Sequence, residues 1–239
     1  MKNQYFGDTR DLFKYDLIIH LLKSLEPKMR LTFIPMLTEN DHKTHGNIIN
    51  YKHAKAGHNN KVLARFLQDC VRLKRRNIIE LERLFKKIGL LLTICCKDKY
   101  FSDMNRESYF RNIKSRSLCD SLIFVDPDNG FEVKHMQKPS KYIFYKETGE
   151  LFHRMNSGSI LMVYQHIPRK NRILYFGYIS EKLKNITGAY PLYISDNQIV
   201  FFFLYKTKQI GPKLSSALKR YRNEYNTLKY LFYEGGPSW

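Results

Sequence analysis

Five short apolar runs constrain this chain most: 31–37 (LTFIPML), 90–96 (LLLTICC), 121–125 (SLIFV), 160–164 (ILMVY) and 199–205 (IVFFFLY). Each has the length of a strand, and none approaches the ~20 residues of a membrane-spanning helix. Runs without polar alternation belong to strands buried on both faces. That is the signature of a mostly parallel sheet covered by helices on either side. The segments between them carry helix-period apolar positions. Asp8 caps a helix through DTRDLFKYDLIIHLLKSL, which Pro27 ends. Further helices are expected over 61–88, 103–114, 147–155, 175–185 and 212–232. Leu192–Ser195 and Ile199–Tyr205 read as an antiparallel pair across the Asp196-Asn197 turn. The expectation is one α/β domain over residues 1–239. Its sheet is Rossmann-like and mostly parallel, with helices on both faces and a basic helical insertion at about 52–89.

Charge narrows the partner. The chain carries 41 Lys and Arg against 22 Asp and Glu, a formal net charge of +19. An excess of that size attracts polyanions. Nucleic acid is the leading partner, because phosphate neutralisation with counterion release gives affinity without a dedicated pocket. An acidic membrane is the rival, and general Lys-richness accounts for part of the excess. The cations concentrate on the 61–88 helix, above all in the run Arg72, Lys74, Arg75 and Arg76, which reads as a surface for a phosphate backbone. The four cysteines have no framework spacing and the N-terminus has no signal-peptide core, so a soluble cytoplasmic protein is expected.

Chemistry is expected where polar residues follow the apolar runs. The first run exits into Leu37-Thr38-Glu39-Asn40-Asp41, the third into Asp126-Pro127-Asp128-Asn129-Gly130, and the fourth into Gln165-His166-Ile167-Pro168-Arg169. Open α/β sheets bind ligands in the crevice outside the carboxyl ends of their strands. DPDNG alone reads as a turn, but three polar exits together point to a shared site. Asp41, Asp128 and Glu132 are the oxygen donors that suit magnesium or manganese. Such a metal would activate water for phosphodiester cleavage. Asp126, Asp128, Glu132, His166 and Lys141 are then the catalytic candidates, and Arg169, Asn129 and Gln165 join the basic run as substrate contacts. His42, His45, His53 and His58 share one polar loop but have no nearby Cys, so they read mostly as solvated.

DPDNGFEVK also resembles a PD-(D/E)xK nuclease site with Asp128, Glu132 and Lys134. A tight hairpin at Asn129-Gly130 would send Glu132 and Lys134 to the face opposite the first Asp and break that site.

Two further resemblances bear on function. Asp126-Pro127 after a buried strand resembles the Asp-Pro-Pro-Tyr motif of amino-methylating class I methyltransferases. Two of the four positions match, and the segment after the first strand, PMLTENDHKTHG, lacks their glycine-rich loop. The set Asn3-Gln4-Tyr5-Phe6-Gly7-Asp8, Lys14-Tyr15, Leu37-Thr38, Asp126 to Glu132, Ser140-Lys141-Tyr142 and Tyr164 to Arg169 resembles a family of uncharacterised bacterial proteins over most of the chain. That likeness implies a shared site without naming its reaction. Three functions are therefore expected in order: a metal-dependent nuclease, a methyltransferase-like enzyme acting on nucleic acid, and a non-catalytic nucleic-acid-binding protein.

Overall fold

The computed structural model describes residues 1–25, 29–41, 48–169 and 171–232. Helix α1 (Thr9–Ser24) precedes strand β1 (Arg30–Ile34). Helices α2 (Lys61–Arg72) and α3 (Glu80–Lys87) lead to β2 (Leu92–Ile94), and α4 (Arg106–Arg111) leads to β3 (Ser121–Val125). Short strands β4 (Gly130–Phe131) and β5 (Tyr142–Ile143) come before α5 (Tyr145–Arg154), β6 (Ile160–His166) and α6 (Arg172–Thr187). Then follow β7 (Leu192–Ser195), β8 (Ile199–Tyr205), α7 (Ile210–Glu224) and β9 (Lys229–Phe232).

The main sheet runs β2-β1-β3-β6-β8-β7-β9. Its first four strands are parallel, and β8, β7 and β9 alternate in direction. This is the mixed α/β, Rossmann-like arrangement expected from the apolar runs. Successive strand residues feed opposite cores, as the period of two requires. Leu122, Phe124, Met162 and Tyr164 pack on the face of α1, α2, α3 and α7. Ile123, Val125, Leu161 and Val163 pack on the face of α4, α5 and α6. The chain runs from β1 to β2 on one side, then returns to place β3 on the other side of β1. The neighbours β1 and β3 therefore flank the topological switch point. The basic helical segment is the crossover that joins β1 to β2.

Three expectations need correction. The 61–88 helix is two helices, because Lys74 adopts φ +55° and the chain turns at 73–79. The break spreads a run of like charges that one continuous helix would crowd together. The last helix stops at Glu224, and residues after the 225–228 turn pair antiparallel with β7. No hairpin forms at Asn129-Gly130: β4 pairs parallel with β5 instead. Pro27, His42 and His45 lie outside the described residues, and His53 and His58 are exposed. No helix among the described residues is long and apolar enough to cross a membrane.

Helix α1 lies under α2 and α7 and is buried along most of its length, yet it carries charges into that interior. Asp16 is held by three neutral donors: Tyr221 OH at 2.8 Å, Tyr225 OH at 2.9 Å and Asn60 Nδ2 at 2.9 Å. Those bonds tie α7 and the start of α2 to α1, and they offset the desolvation of a buried carboxylate.

Candidate active site

The first turn of α1 lies beside the carboxyl ends of β3 and β6. Asp8 is its N-cap, and Oδ1 accepts hydrogen bonds from the amides of Arg10 at 2.9 Å and Asp11 at 2.8 Å. These bonds satisfy two of the donors that a helix start leaves open. Asp11 and Lys14 follow at a spacing of three, so their side chains share one helix face. Lys14 Nζ bridges Asp11 Oδ1 at 3.0 Å and Asp126 Oδ2 at 2.7 Å. It also stands 5.1 Å from the centre of the Tyr164 ring, a cation–π distance. Asp8, Asp11, Lys14, Asp126 and Tyr164 line a small polar crevice of about 70 Å³, together with Arg10 and Asp128.

The electrostatics differ from group to group. Burial pulls the Lys14 ammonium down, but Asp11 and Asp126 outweigh it and hold it charged. Burial pushes the Asp126 carboxyl up against the pull of Lys14. At Asp128 burial again acts upward, but the Met1 ammonium at 2.6 Å and Lys141 at 3.8 Å keep it below the usual carboxylate range. Among the described residues no cation stands at ion-pair distance from Asp8, although Lys14 and Arg10 pull its pKa down from farther off. Burial and the neighbouring Asp11 push its carboxyl up to about 7. Among the described residues no hydrogen bond reaches its Oδ2, while the residue lines the crevice. A carboxyl poised at neutrality with one oxygen uncommitted is equipped to exchange a proton with a ligand.

Several expected residues meet here. Asp126 and Asp128 are both in the crevice wall, and Lys141 reaches Asp128. Asp41 joins the outer side through Lys2 Nζ at 3.0 Å and Gln4 Nε2 at 2.9 Å. His166 follows Tyr164 by two along β6 and so shares its sheet face. Burial, and then Arg10, lower its pKa against the opposing pull of Asp196. Arg169 is exposed just beyond β6.

Others turn elsewhere. Glu132 Oε1 accepts from the Tyr145 amide at 2.7 Å and caps α5. Gln165 points to the opposite face, where its amide is spent on backbone: Oε1 accepts from Phe131 N at 2.8 Å, and Nε2 donates to Asn129 O at 3.0 Å. Asn129 serves through its main chain, whose amide donates to Lys141 O at 2.9 Å. The Gln165 side chain and the Asn129 main chain therefore hold the DPDNG loop in place. Gly130 at φ +118° lets that loop pass against Gln165. Arg76 is also structural: its Nε donates to Phe6 O at 2.7 Å. Arg72 pairs with Asp69 at 2.8 Å, whereas Lys74 and Arg75 are exposed.

The proposed metal ligands do not assemble. Asp41 is taken by Lys2 and Gln4, Asp128 by the Met1 ammonium, and Glu132 by the α5 amide. Among the described residues, no three His, Cys, Asp or Glu side chains are placed to hold a metal ion.

The sequence marks Asp8 as a helix cap and carries Lys14 and Tyr164 only within a motif set, and it gives Arg10 and Asp11 no place in a site. The signal emerges once α1 is seen to be buried. Asp11 and Lys14 interrupt a helix whose neighbours at Leu12, Phe13, Tyr15, Leu17 and Ile18 are all buried. Charges embedded in such a pattern are kept for a reason other than solubility. No family model, curated protein or solved structure matches this chain.

Proposed function

We propose that the protein is an enzyme acting on nucleic acid, and that it runs general acid–base chemistry in the crevice beside Asp8. The observation that carries this reading is the Asp8 carboxyl. It is buried, pushed up to about 7, without a bond to Oδ2 among the described residues, and bordered by Arg10 on the crevice wall. At neutral pH such a group is base in one half of its population and acid in the other. In phosphodiester cleavage it takes the proton of the attacking oxygen and returns it to the leaving oxygen. Arg10, Lys2 and Lys141 border the crevice as contacts for the anionic phosphate. Lys14 and Asp126 form the rigid frame beneath it. The net charge of +19 supports the polyanionic substrate. The cysteine spacing supports a cytoplasmic setting.

A second reading draws on the sheet. Asp126-Pro127 leaves β3 beside the switch point between β1 and β3, where nucleotide-like ligands bind in α/β folds. This favours the methyltransferase-like alternative. The Met1 amino group, 3.2 Å from Met36 O, occupies the end of β1, and the crevice of about 70 Å³ falls short of the ~300 Å³ of a typical ligand site. Displacement of residues 1–2 would have to accompany methyl-donor binding.

The test is incubation of the full chain with single-stranded DNA and RNA, with and without chelator, across pH 5–9. Cleavage is expected to survive the chelator and to show a limb near pH 7 that reports Asp8. Asp8→Asn is expected to slow it by about 10²–10⁴. If no nucleic acid is changed, or if Asp8→Asn cleaves at the wild-type rate, the reading fails. Calorimetry with S-adenosylmethionine decides the alternative.

A further inference from the structure

A second basic feature lies beside the crevice and belongs to different residues. Two adjoining hollows, of about 730 and about 470 Å³, flank α2 and share Lys61 and Arg65 as walls. They lie on either side of the ridge that Lys61 and Arg65 make along α2, and the two hollows with that ridge are treated as one groove region. Lys52, Lys61, Arg65, Arg75 and Lys87 line it, and all are exposed. None of the five has a carboxylate partner among the described residues. The acidic residue in the wall, Asp69, is already paired with Arg72. Arg83 is paired with Glu80. Five uncompensated cations along one groove repel each other unless an anion of extended shape lies among them.

The groove is more than a charge strip. Phe66, partly buried against the core, forms part of the wall of one hollow, and His58 stands exposed at one end. Val62, 52 % exposed, lies between Lys61 and Arg65 in the same wall. Rings and apolar surface among cations match splayed bases on a phosphate backbone. A duplex keeps its bases stacked inside and would leave those surfaces unused. Helix α2 has 12 residues, a length of about 18 Å. The five lining cations set the number of direct phosphate contacts at no more than about five.

The groove is tied to the crevice by one short segment. Arg76, in the turn between α2 and α3, donates to Phe6 O at 2.7 Å, and the Ile78 amide donates to Asn3 Oδ1 at 3.1 Å. Gly7 at φ +87° brings the backbone against Leu67 and Val71 of α2, where a Cβ would stand 2.9 Å from Val71 Cγ2. The next residue is Asp8. We infer that the α2–α3 groove holds a single-stranded stretch of nucleic acid. Its phosphates lie on Lys52, Lys61, Arg65, Arg75 and Lys87, its bases lie against Phe66 and His58, and the strand continues toward the crevice. The direction of the strand rests on the crevice reading; the groove itself does not.

Fluorescence anisotropy of a labelled oligothymidylate with the full chain tests this, as log affinity against log salt between about 50 and 200 mM. Five phosphate contacts on a single strand give a slope of about −3.5. Lys61→Ala with Arg65→Ala is expected to make the slope shallower by about 1.4. The charge-matched control, Lys208→Ala with Lys219→Ala on the α7 side, leaves it unchanged. Phe66→Leu keeps an apolar side chain but removes the ring, and is expected to weaken binding at least about fivefold at constant slope. The groove assignment is overturned if the control pair moves the slope as much as the groove pair, or if a duplex of equal length binds as tightly. Asp8→Asn keeps the wild-type slope. If it abolishes turnover while the groove pair binds normally, the groove falls and the crevice stands. The expected slopes without turnover by any variant keep the groove and remove the crevice.

Discussion

Asp8→Asn should make the protein more stable while it disables the site. Asparagine is as good an N-cap as aspartate, and its Oδ1 can keep the bonds from the Arg10 and Asp11 amides. What disappears is a negative charge buried beside Asp11. In the folded chain Asp8 keeps its proton up to about pH 7, whereas an ordinary aspartate loses it near 3.8. Between those values the folded state binds the extra proton, so wild-type stability falls as pH rises through that window. At about 1.4 kcal/mol per pH unit, the full window comes to at most about 4 kcal/mol above pH 7. The asparagine variant does not pay that cost. In a chain of this size each kcal/mol moves Tm by about 2–4 °C, so Tm at pH 8 should rise by up to about 8–16 °C. The gap should narrow steadily toward pH 4. Thermal and urea unfolding at pH 4, 6 and 8 read it directly. A variant less stable than wild type at pH 8, or a difference that does not change with pH, would refute the reasoning.

Two other substitutions probe the frame of the site. Lys14→Met leaves Asp11 and Asp126 buried without their counter-ion and should cost about 3–5 kcal/mol at pH 7, with part of the loss recovered when Asp126→Asn is added. A loss under 1 kcal/mol in urea unfolding would mean the two carboxylates have other partners. Gly130→Ala forces a side chain at φ +118° into the Gln165 amide and should cost about 3 kcal/mol or more, from backbone strain together with the disturbed bonds of Gln165. An unchanged Tm would show that the DPDNG loop is not held by Gln165.

The strands were legible because an apolar run without alternation has few other places to go than a sheet covered on both faces. β6 and β8 match their runs almost residue for residue. The break between α2 and α3 was not legible. It depends on Lys74 taking a left-handed conformation and on Arg76 reaching back to Phe6 O, a contact 70 residues apart in sequence. β9 was hidden for a similar reason: only the exposed edge of β7 turns the 229–232 segment from helix continuation into strand. At the site, Asp126 and Asp128 were readable as strand-exit residues. Gln165 was noticed for the right position and given the wrong task, since amide orientation depends on what crosses the sheet end. Asp8, Asp11 and Lys14 looked like ordinary residues at a helix start. Their meaning comes from the burial of α1 beneath α2 and α7, which local pattern does not contain.

The titration of Asp8 itself tests the account most directly. With carboxyl-carbon labelling, the Asp8 resonance can be followed by NMR from pH 4 to 9 and assigned through its loss in Asp8→Asn. A midpoint near 7 is predicted, moving upward when Lys14→Met removes the nearby cation. A midpoint in the usual carboxylate range would leave the crevice without a group able to move protons at neutral pH, and the proposed chemistry would have no acid and no base.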